Sequence, residues 1–547
     1  MLFNSFTFAF FFVIVFVLYW MLKRSYHRQN VILLIASYLF YAWWDIRFLF
    51  LIVLSTYVDY CTSLFIDRKR LSPKQIVISS IYLVSASFVC VTCQWASFQW
   101  MSPHILDLLP STVMGWWPTY TSILCAIILM LLYKIPLLLR VKKPEKIYLV
   151  YSVVVNLGIL GFFKYFNFFT DSFNTLWAWL FHTEPAEITS RVLLPVGISF
   201  FTFQTMSHTI DVYRKKIPST ESLLQLATYV AFFPQLVAGP IERGAHLLPQ
   251  FQRRRFITTE EKQYAYWLIL WGLYKKVVIA DNVAKIVNGV FGPYDTMQFE
   301  SLSNDGINCL LAVYAFAFQI YCDFSGYTDI ARGTAKLLGF DIMLNFNLPY
   351  IAVNPTDFWK RWHISLSSWL RDYLYIPLGG NRKGNARTIV NLFLTMLLGG
   401  LWHGAHWTFV LWGGYHGGLL IIYRLFGDTN TQGYSPMKRI IKAVVMFHLV
   451  CLGWLIFRAQ NLTTIGLFLK SMIFNPVVSE STGEMVRQLF SYIWFLVLFQ
   501  GLQIWKKELY PIKQVHWFLR LNMVIFLVVS LMRLAPHGAQ EFIYFAF

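Results

Sequence analysis

The sequence predicts an all-α, polytopic integral membrane protein, and three observations carry that reading. Hydrophobic residues make up 57% of the 547 positions and charged residues only 13%, against about 25% charged in soluble domains. Apolar runs long enough to cross a bilayer recur from one end of the chain to the other. Lys and Arg gather in alternate connections between those runs, the bias expected of cytoplasmic loops.

Taken in order, the runs predict spans near 6–22, 30–44, 48–66, 76–92, 120–139, 147–163 and 192–210. Lys23, Arg24 and Arg28 follow the first span, Arg68, Lys69, Arg70 and Lys74 the third, Arg140, Lys142, Lys143 and Lys146 the fifth, and Arg214, Lys215 and Lys216 the seventh. The connections 93–119 and 165–190 contain neither Lys nor Arg. This alternation puts the N-terminus outside and the basic loops in the cytoplasm. The first run has no basic stretch before it and no small-residue cleavage site after it, so it reads as a retained helix, not a signal peptide. The run from Leu223 to Ile241 is flanked by basic clusters on both sides, the second being Arg253, Arg254 and Arg255, so it is expected not to cross. Pro234 and Pro240 suit a re-entrant or interfacial segment whose broken backbone is sheltered by protein. Further spans are expected near 264–280, 308–331, 388–423 (broken), 440–457, 488–504 and 521–534, giving about 11–13 in all. With no composition shift, tandem repeat or low-complexity linker, residues 1–547 read as a single membrane domain.

The balance of 46 Lys+Arg against 27 Asp+Glu, a formal charge of +19, would suggest a nucleic-acid partner in a soluble protein. Here the charge lies in short loops, no basic tract with interleaved aromatics stands outside the spans, and a nucleic-acid partner is not expected. The seven cysteines read as small buried residues. Cys90 and Cys93 form a lone C-x-x-C with no second pair or His partner, and no metal site is expected.

Between Arg387 and Arg424 there is no charged residue, yet Leu401-Trp402-His403-Gly404-Ala405-His406-Trp407 lies near the middle. An unbroken helix of that length would measure on the order of 54 Å against a hydrocarbon core of about 30 Å. It must break or turn, and Gly399, Gly400 and Gly404 put the break beside His403. An imidazole where backbone opens inside a membrane is costly and usually functional. Upstream, Asn354 to Tyr373 begins with a capping Asn, Pro355 at the first helical position and Asp357 in the first turn. Phe358, Trp362, Leu366, Trp369 and Tyr373 recur at helical spacing and predict an amphipathic interfacial helix. On it, Trp359, Trp369, Lys360 and Arg371 read as anchors at the headgroups. His363, beside Trp362, reads as functional, and the chain leads through Pro377 to Asn381 and Arg382 towards His403.

His403 and His406 at i, i+3 lack a third metal ligand, and no G-x-S-x-G elbow is present. General-base chemistry remains: a neutral imidazole near its usual pKa of about 6.5 can take the proton of an acceptor hydroxyl attacking an acyl carbonyl. For His406 and His416 a structural hydrogen bond explains the side chain at least as well. In Asp323-Phe324-Ser325-Gly326-Tyr327-Thr328-Asp329-Ile330-Ala331-Arg332, Asp329 is expected to pair with Arg332 on the same face, and Asp323 is free to orient an imidazole.

Together, Asp323 to Tyr327, Asp357-Phe358-Trp359-Lys360-Arg361-Trp362-His363-Ile364-Ser365-Leu366-Ser367 and Leu401-Trp402-His403-Gly404 resemble the membrane-bound O-acyltransferases. Within them the chain is most similar to the bacterial branch typified by the alginate O-acetylation membrane protein. Gly161 to Asn167, Pro195 to Phe201, Phe233 to Pro240, Trp454 to Arg458 and Phe542 to Phe545 support the likeness, and the core motifs fall within 190–460. The resemblance implies a helical fold around a catalytic tunnel, with His403 as the family's catalytic histidine and His363 as its second characteristic one. Asp323, Ser325, Trp359, Arg361, Trp362, Trp402 and Asn381 are the expected supporting or substrate-binding residues. It further implies acyl transfer, with acetyl the expected group, from a cytoplasmic thioester such as acetyl-CoA to an extracytoplasmic polysaccharide in the bacterial inner membrane, completed by a periplasmic acyltransferase partner. No tightly bound cofactor is expected. D-alanyl transfer from a carrier protein to a cell-wall polymer is the alternative within the family. Outside it, a non-catalytic transporter of acyl donor or lipid-linked sugar also fits broken helices, although no inverted repeat is visible.

Overall fold

The computed structural model describes all residues except 96–107, 140, 185, 187–190, 297–304, 428–432, 537–541 and 544–547. Arg140, Tyr544 and Phe545 of the sequence reading lie outside the described residues. Among the described residues every regular element is helical. Within the same described residues eight helices are long and apolar enough to cross a membrane, and Phe6–Met21 and Leu462–Phe474 are shorter apolar helices.

The first group is α1 (Phe6–Met21), α2 (Tyr26–Ala42), α3 (Ile46–Arg68), α4 (Pro73–Ser87), α5 (Trp117–Leu138), α6 (Pro144–Leu160), α7 (Phe166–Phe181) and α8 (Ile198–Tyr213). Their starts follow local chemistry. Ser5 and Ser25 accept from the amides of Phe8 and Arg28, and Ser72 with Gln75 forms a capping box ahead of Pro73. The predicted connection after residue 165 is instead largely helix, because a π-helical turn over Gly161–Tyr165 joins α6 to α7 into one apolar run ending at Phe181.

The segment expected not to cross is broken as the prolines suggest, into α9 (Leu223–Ala231) and α10 (Phe233–Leu236), followed by α11 (Gly244–Leu247). Protein supplies the missing partners: Phe233 N–H donates to Ser37 Oγ, and the Tyr229 carbonyl accepts from Gln204 and Gln235. Next come α12 (Thr259–Leu273), a π-helical stretch over Tyr274–Ala280, α13 (Asp281–Asp295) and α14 (Gly306–Leu337). Helix α14 forms the buried centre. It meets α12 so closely that a Cβ on Gly272 would stand 2.6 Å from the Gly326 carbonyl oxygen, the small-residue contact that lets membrane helices touch through their backbones.

The predicted interfacial helix is two helices, α15 (Pro355–Arg361) and α16 (Ile364–Leu370). Asn354 caps the first as expected, accepting from Asp357 N–H. The break at Trp362 and His363 has no Gly or Pro to announce it. His363 is left-handed (φ 43°), and Asn345, on an extended segment upstream, accepts the Ile364 and Ser365 amides that would otherwise continue the helix. The fold then runs through α17 (Asn385–His403), α18 (Trp407–Phe426), α19 (Pro436–Arg458), α20 (Leu462–Phe474), α21 (Glu480–Lys506) and α22 (Trp517–Leu534). Leu462–Phe474 had no counterpart in the sequence reading.

Candidate active site

Helices α17 and α18 resolve the length problem by turning back. At 19 residues α17 is about 28 Å long, and Arg424 near the end of α18 reaches Asn385 at the start of α17. The result is a hairpin whose tip, Gly404-Ala405-His406, follows His403 directly. The arms touch through glycines: a Cβ on Gly400 would lie 2.2 Å from the Phe409 carbonyl oxygen.

A helix end leaves carbonyls without partners. Here another helix supplies them. Tyr165 Oη donates to the Leu401 carbonyl at 2.9 Å, and Lys164 Nζ donates to those of Trp402 and His403 at 2.5 and 3.1 Å. Both donors come from the π-helical turn between α6 and α7. Ring packing completes the shell of His403: Trp402 at 5.1 Å, Trp412 at 5.0 Å, Phe457 at 5.5 Å and His363 at 6.3 Å between centroids.

His363 is fully buried, and its strained backbone is the kind of outlier found at functional sites. Its Nδ1 lies 3.1 Å from Asn345 Oδ1. That oxygen already accepts the Ser365 amide, so it cannot be the donor, and His363 Nδ1 must carry the proton. The lone pair then sits on Nε2. Phe324 packs edge-on at 4.7 Å, so the Asp323–Tyr327 motif meets the site through this phenylalanine.

Two cavities reach His403. One, of about 520 Å³, lies at the hairpin tip and is lined by Lys164, Ser199, Phe200, Trp402, Trp43 and Trp44 among others. The other, of about 450 Å³, runs along the hairpin towards its base past Gly399, Met396, Trp412 and Trp359 to Lys360, Arg371 and Arg424. Among the described residues, His403 is the one residue common to both linings. His363 lines neither.

Several expected roles change. Asp323 does not orient an imidazole: it pairs with Lys276 at 2.8 Å and accepts the Ile543 amide. Lys276 also holds Asp281 at 2.8 Å. Asp329 pairs with Lys275 at 2.8 Å, with Arg332 only at 3.9 Å, and Ser325 accepts from the same lysine. Trp369 is not a headgroup anchor. It is buried, stacks on Phe203 at 3.8 Å and donates its indole N–H to the Phe203 carbonyl. Trp362 is buried against Trp454 and Phe358. Trp359 packs on Trp412 and His416. Arg361 is held by Asp357 and lines a lateral groove outside both His403 cavities. Asn381 lies exposed in a turn and lines neither cavity. His406 caps α18 by accepting the Thr408 amide. His416 is packed among Trp412, Trp359 and Phe358, and neither of its nitrogens finds a hydrogen bond among the described residues.

Asn345, Lys275 and Lys276 went unrecognised in the sequence, and Lys164 entered only as part of the Gly161–Asn167 stretch, with no role assigned. Three of them carried a signal, a lysine inside an otherwise apolar run; Asn345 carried none. Among the described residues no three His, Cys, Asp or Glu side chains are placed to hold a metal ion.

Residues 148–459 match the family model for MBOAT, the membrane-bound O-acyltransferases. The chain belongs to that family. It is a multi-pass membrane O-acyltransferase, which answers the transporter alternative. It is 39% identical over 464 residues to a probable alginate O-acetylase AlgI of Pseudomonas putida, covering 84% of this chain and 78% of that one. The peptidoglycan O-acetyltransferase of Helicobacter pylori is 36% identical over 355 residues, covering 60% and 65% respectively. The teichoic acid D-alanyltransferase of Bacillus subtilis is 29% identical over 300 residues, covering 52% and 74%.

Proposed function

We propose that this O-acyltransferase moves an acetyl group from a cytoplasmic acyl thioester, acetyl-CoA in the simplest case, to an extracytoplasmic polysaccharide hydroxyl, directly or through a periplasmic acyltransferase partner. The observation that carries the reading is the meeting of two separate cavities at His403. The cavity that runs to the hairpin base ends among Lys360, Arg371 and Arg424, cations suited to the phosphates of a thioester donor. The charge alternation of the loops supports a cytoplasmic position for that mouth, an N-terminus outside and residence in the bacterial inner membrane. The tip cavity would then receive the acceptor. Relatives named for alginate and peptidoglycan acetylation favour a polysaccharide and an acetyl group.

In this reading the acceptor O–H gives its proton to the His403 imidazole as its oxygen bonds to the acyl carbon. The C–S bond then breaks, and the thiolate leaves with the proton from the imidazolium. General-base help of this kind contributes about 10²–10⁴-fold. His363, outside both cavities, acts as a positioning residue through its ring contact with His403. No step uses a tightly bound cofactor. The test is donor turnover in membranes: His403→Ala should lower it by about 10²-fold or more while the protein stays folded, and near-normal turnover would overturn the assignment.

A further inference from the structure

We propose that Phe542 and Ile543 are positioning residues for acyl transfer: they clamp the Asp323–Tyr327 segment of α14, and through Phe324 that clamp sets the His363 ring against His403. The clamp rests on the reading above in which His403 is the base and His363 positions it.

Of the chain beyond Pro536, Phe542 and Ile543 are the described residues. Phe542 stands outside any helix, yet it is only 1% exposed. Non-helical backbone sheltered inside a membrane bundle needs partners from protein, and α14 supplies one. The Ile543 amide donates to Asp323 Oδ2 at 2.7 Å, a hydrogen bond strengthened by the carboxylate charge. Lys276 holds Asp323 Oδ1 at 2.8 Å. The carboxylate is thus tied at both oxygens, and the amide fixes where the segment sits along the helix. One turn further along α14, Tyr327 packs on the Phe542 ring at 4.7 Å, and Phe324 lies 5.7 Å from it.

A ring that merely filled the core would be packed on every side. Instead Phe542 and Ile543, with Asp323, Lys276, Ala405 and His406, line a cavity of about 820 Å³ that reaches the hairpin tip. Removing the Phe542 ring would therefore widen an existing space beside Phe324. The consequence runs inward. Asn345 fixes one edge of the His363 ring, and Phe324 at 4.7 Å, Trp402 at 5.9 Å and Phe200 at 6.5 Å fix its faces and rim. Phe324 is the nearest of those three rings. If it tilts into the vacated volume, His363 shifts, and the His403 ring stands only 6.3 Å away.

The test measures turnover of acetyl-CoA in membranes carrying the full-length protein, with folded protein counted by fluorescence-detected gel filtration. A displacement of about 1 Å at a reacting centre costs about 10²-fold in rate. Here the shift is relayed through two rings, so Phe542→Ala should lower kcat about tenfold and leave the KM for acetyl-CoA unchanged. Phe542→Tyr keeps the ring and should turn over like wild type. Phe542→Leu keeps apolar bulk without the ring and should give a wild-type yield of folded protein with a lowered kcat; this pair decides the matter if Phe542→Ala does not fold. In a Phe324→Leu background Phe542→Ala should add little, because its route to His363 is already lost. Wild-type kcat in Phe542→Leu, or losses from Phe324→Leu and Phe542→Ala that simply multiply, would overturn the clamp while leaving acyl transfer by His403 intact. Turnover that is absent from wild type, or that survives His403→Ala, would remove the underlying reading and the clamp with it.

Discussion

Gly400→Ala is a one-methyl change that should separate the position of His403 from its chemistry. The added Cβ would lie 2.2 Å from the Phe409 carbonyl oxygen and 2.9 Å from Gly413 Cα. Comfortable carbon contacts begin at about 3.5 Å, so the arms of the hairpin must part by about 1 Å. Both obstructing groups are backbone and cannot swing aside. Overpacking of this kind costs about 1–3 kcal/mol, against a gain of about 0.5–1 kcal/mol for replacing Gly by Ala within a helix. The clash wins, and the expected outcome is a net loss of about 1–2 kcal/mol in a protein that still inserts. Activity should suffer more than stability. His403 lies one turn beyond Gly400, and a displacement of about 1 Å at a reacting centre costs about 10²-fold in rate. Donor turnover should therefore fall about 10²-fold per folded molecule, with folded protein counted by fluorescence-detected gel filtration. Gly418 on α18 supplies the control, since a Cβ there meets nothing within 4 Å and Gly418→Ala should be neutral or slightly stabilising. Near-wild-type turnover in Gly400→Ala, or an equal fall in Gly418→Ala, would refute the argument that backbone contact between α17 and α18 positions His403.

Lys276→Met should strand Asp323 and Asp281 as buried charges at a cost of about 3–5 kcal/mol, seen as loss of folded protein; Lys276→Met combined with Asp323→Asn should recover part of it, and equal yields would count against the pairing. Lys164→Met leaves the Trp402 and His403 carbonyls without their donor, a cost of about 1–3 kcal/mol, so turnover should drop about tenfold while the KM for donor changes little. Asn345→Ala leaves the Ser365 amide and His363 without their acceptor and should destabilise by about 1–3 kcal/mol, read as a lower unfolding temperature. Glu242, hydrogen-bonded to His246 at 2.9 Å, raises the His246 pKa above its ordinary value. A raised folded-state value means the stabilisation is complete below about pH 6.5 and is lost as pH rises through the folded value. The unfolding temperature of wild type minus that of His246→Gln should thus be larger at pH 6 than at pH 8.5, and a pH-independent difference would refute it.

What was legible in the sequence was what periodicity and cost make visible. A chargeless stretch too long for one crossing had to break, and glycines beside His403 placed the break correctly. The start of α15 was readable because Asn354 acts on the amide of Asp357, three residues away. What stayed hidden was set by distant segments. The helix break at His363 depends on Asn345, 18 residues upstream, and nothing between Asn354 and Tyr373 contains that information. Trp369 carries the aromatic signature of a headgroup anchor, yet its ring stacks on Phe203 of α8. Asp329 has Arg332 at helical spacing, but Lys275 from another helix approaches more closely and takes the pair. Local spacing ranks partners within a helix and is blind to a better one outside it.

The support of His403 extends that lesson to function. An imidazole at a helix end inside a bilayer needs its neighbouring carbonyls satisfied, or the last turn frays and the ring loses its place. Those carbonyls are met by Lys164 and Tyr165, side chains of a π-helical turn that itself departs from the regular α-helical hydrogen-bond ladder. Side chains of one irregular backbone therefore satisfy the open carbonyls of another. It follows that the α17–α18 hairpin cannot present His403 competently until it has docked against α6 and α7. His403 is one position in the sequence, but its setting is a contact between segments more than 230 residues apart.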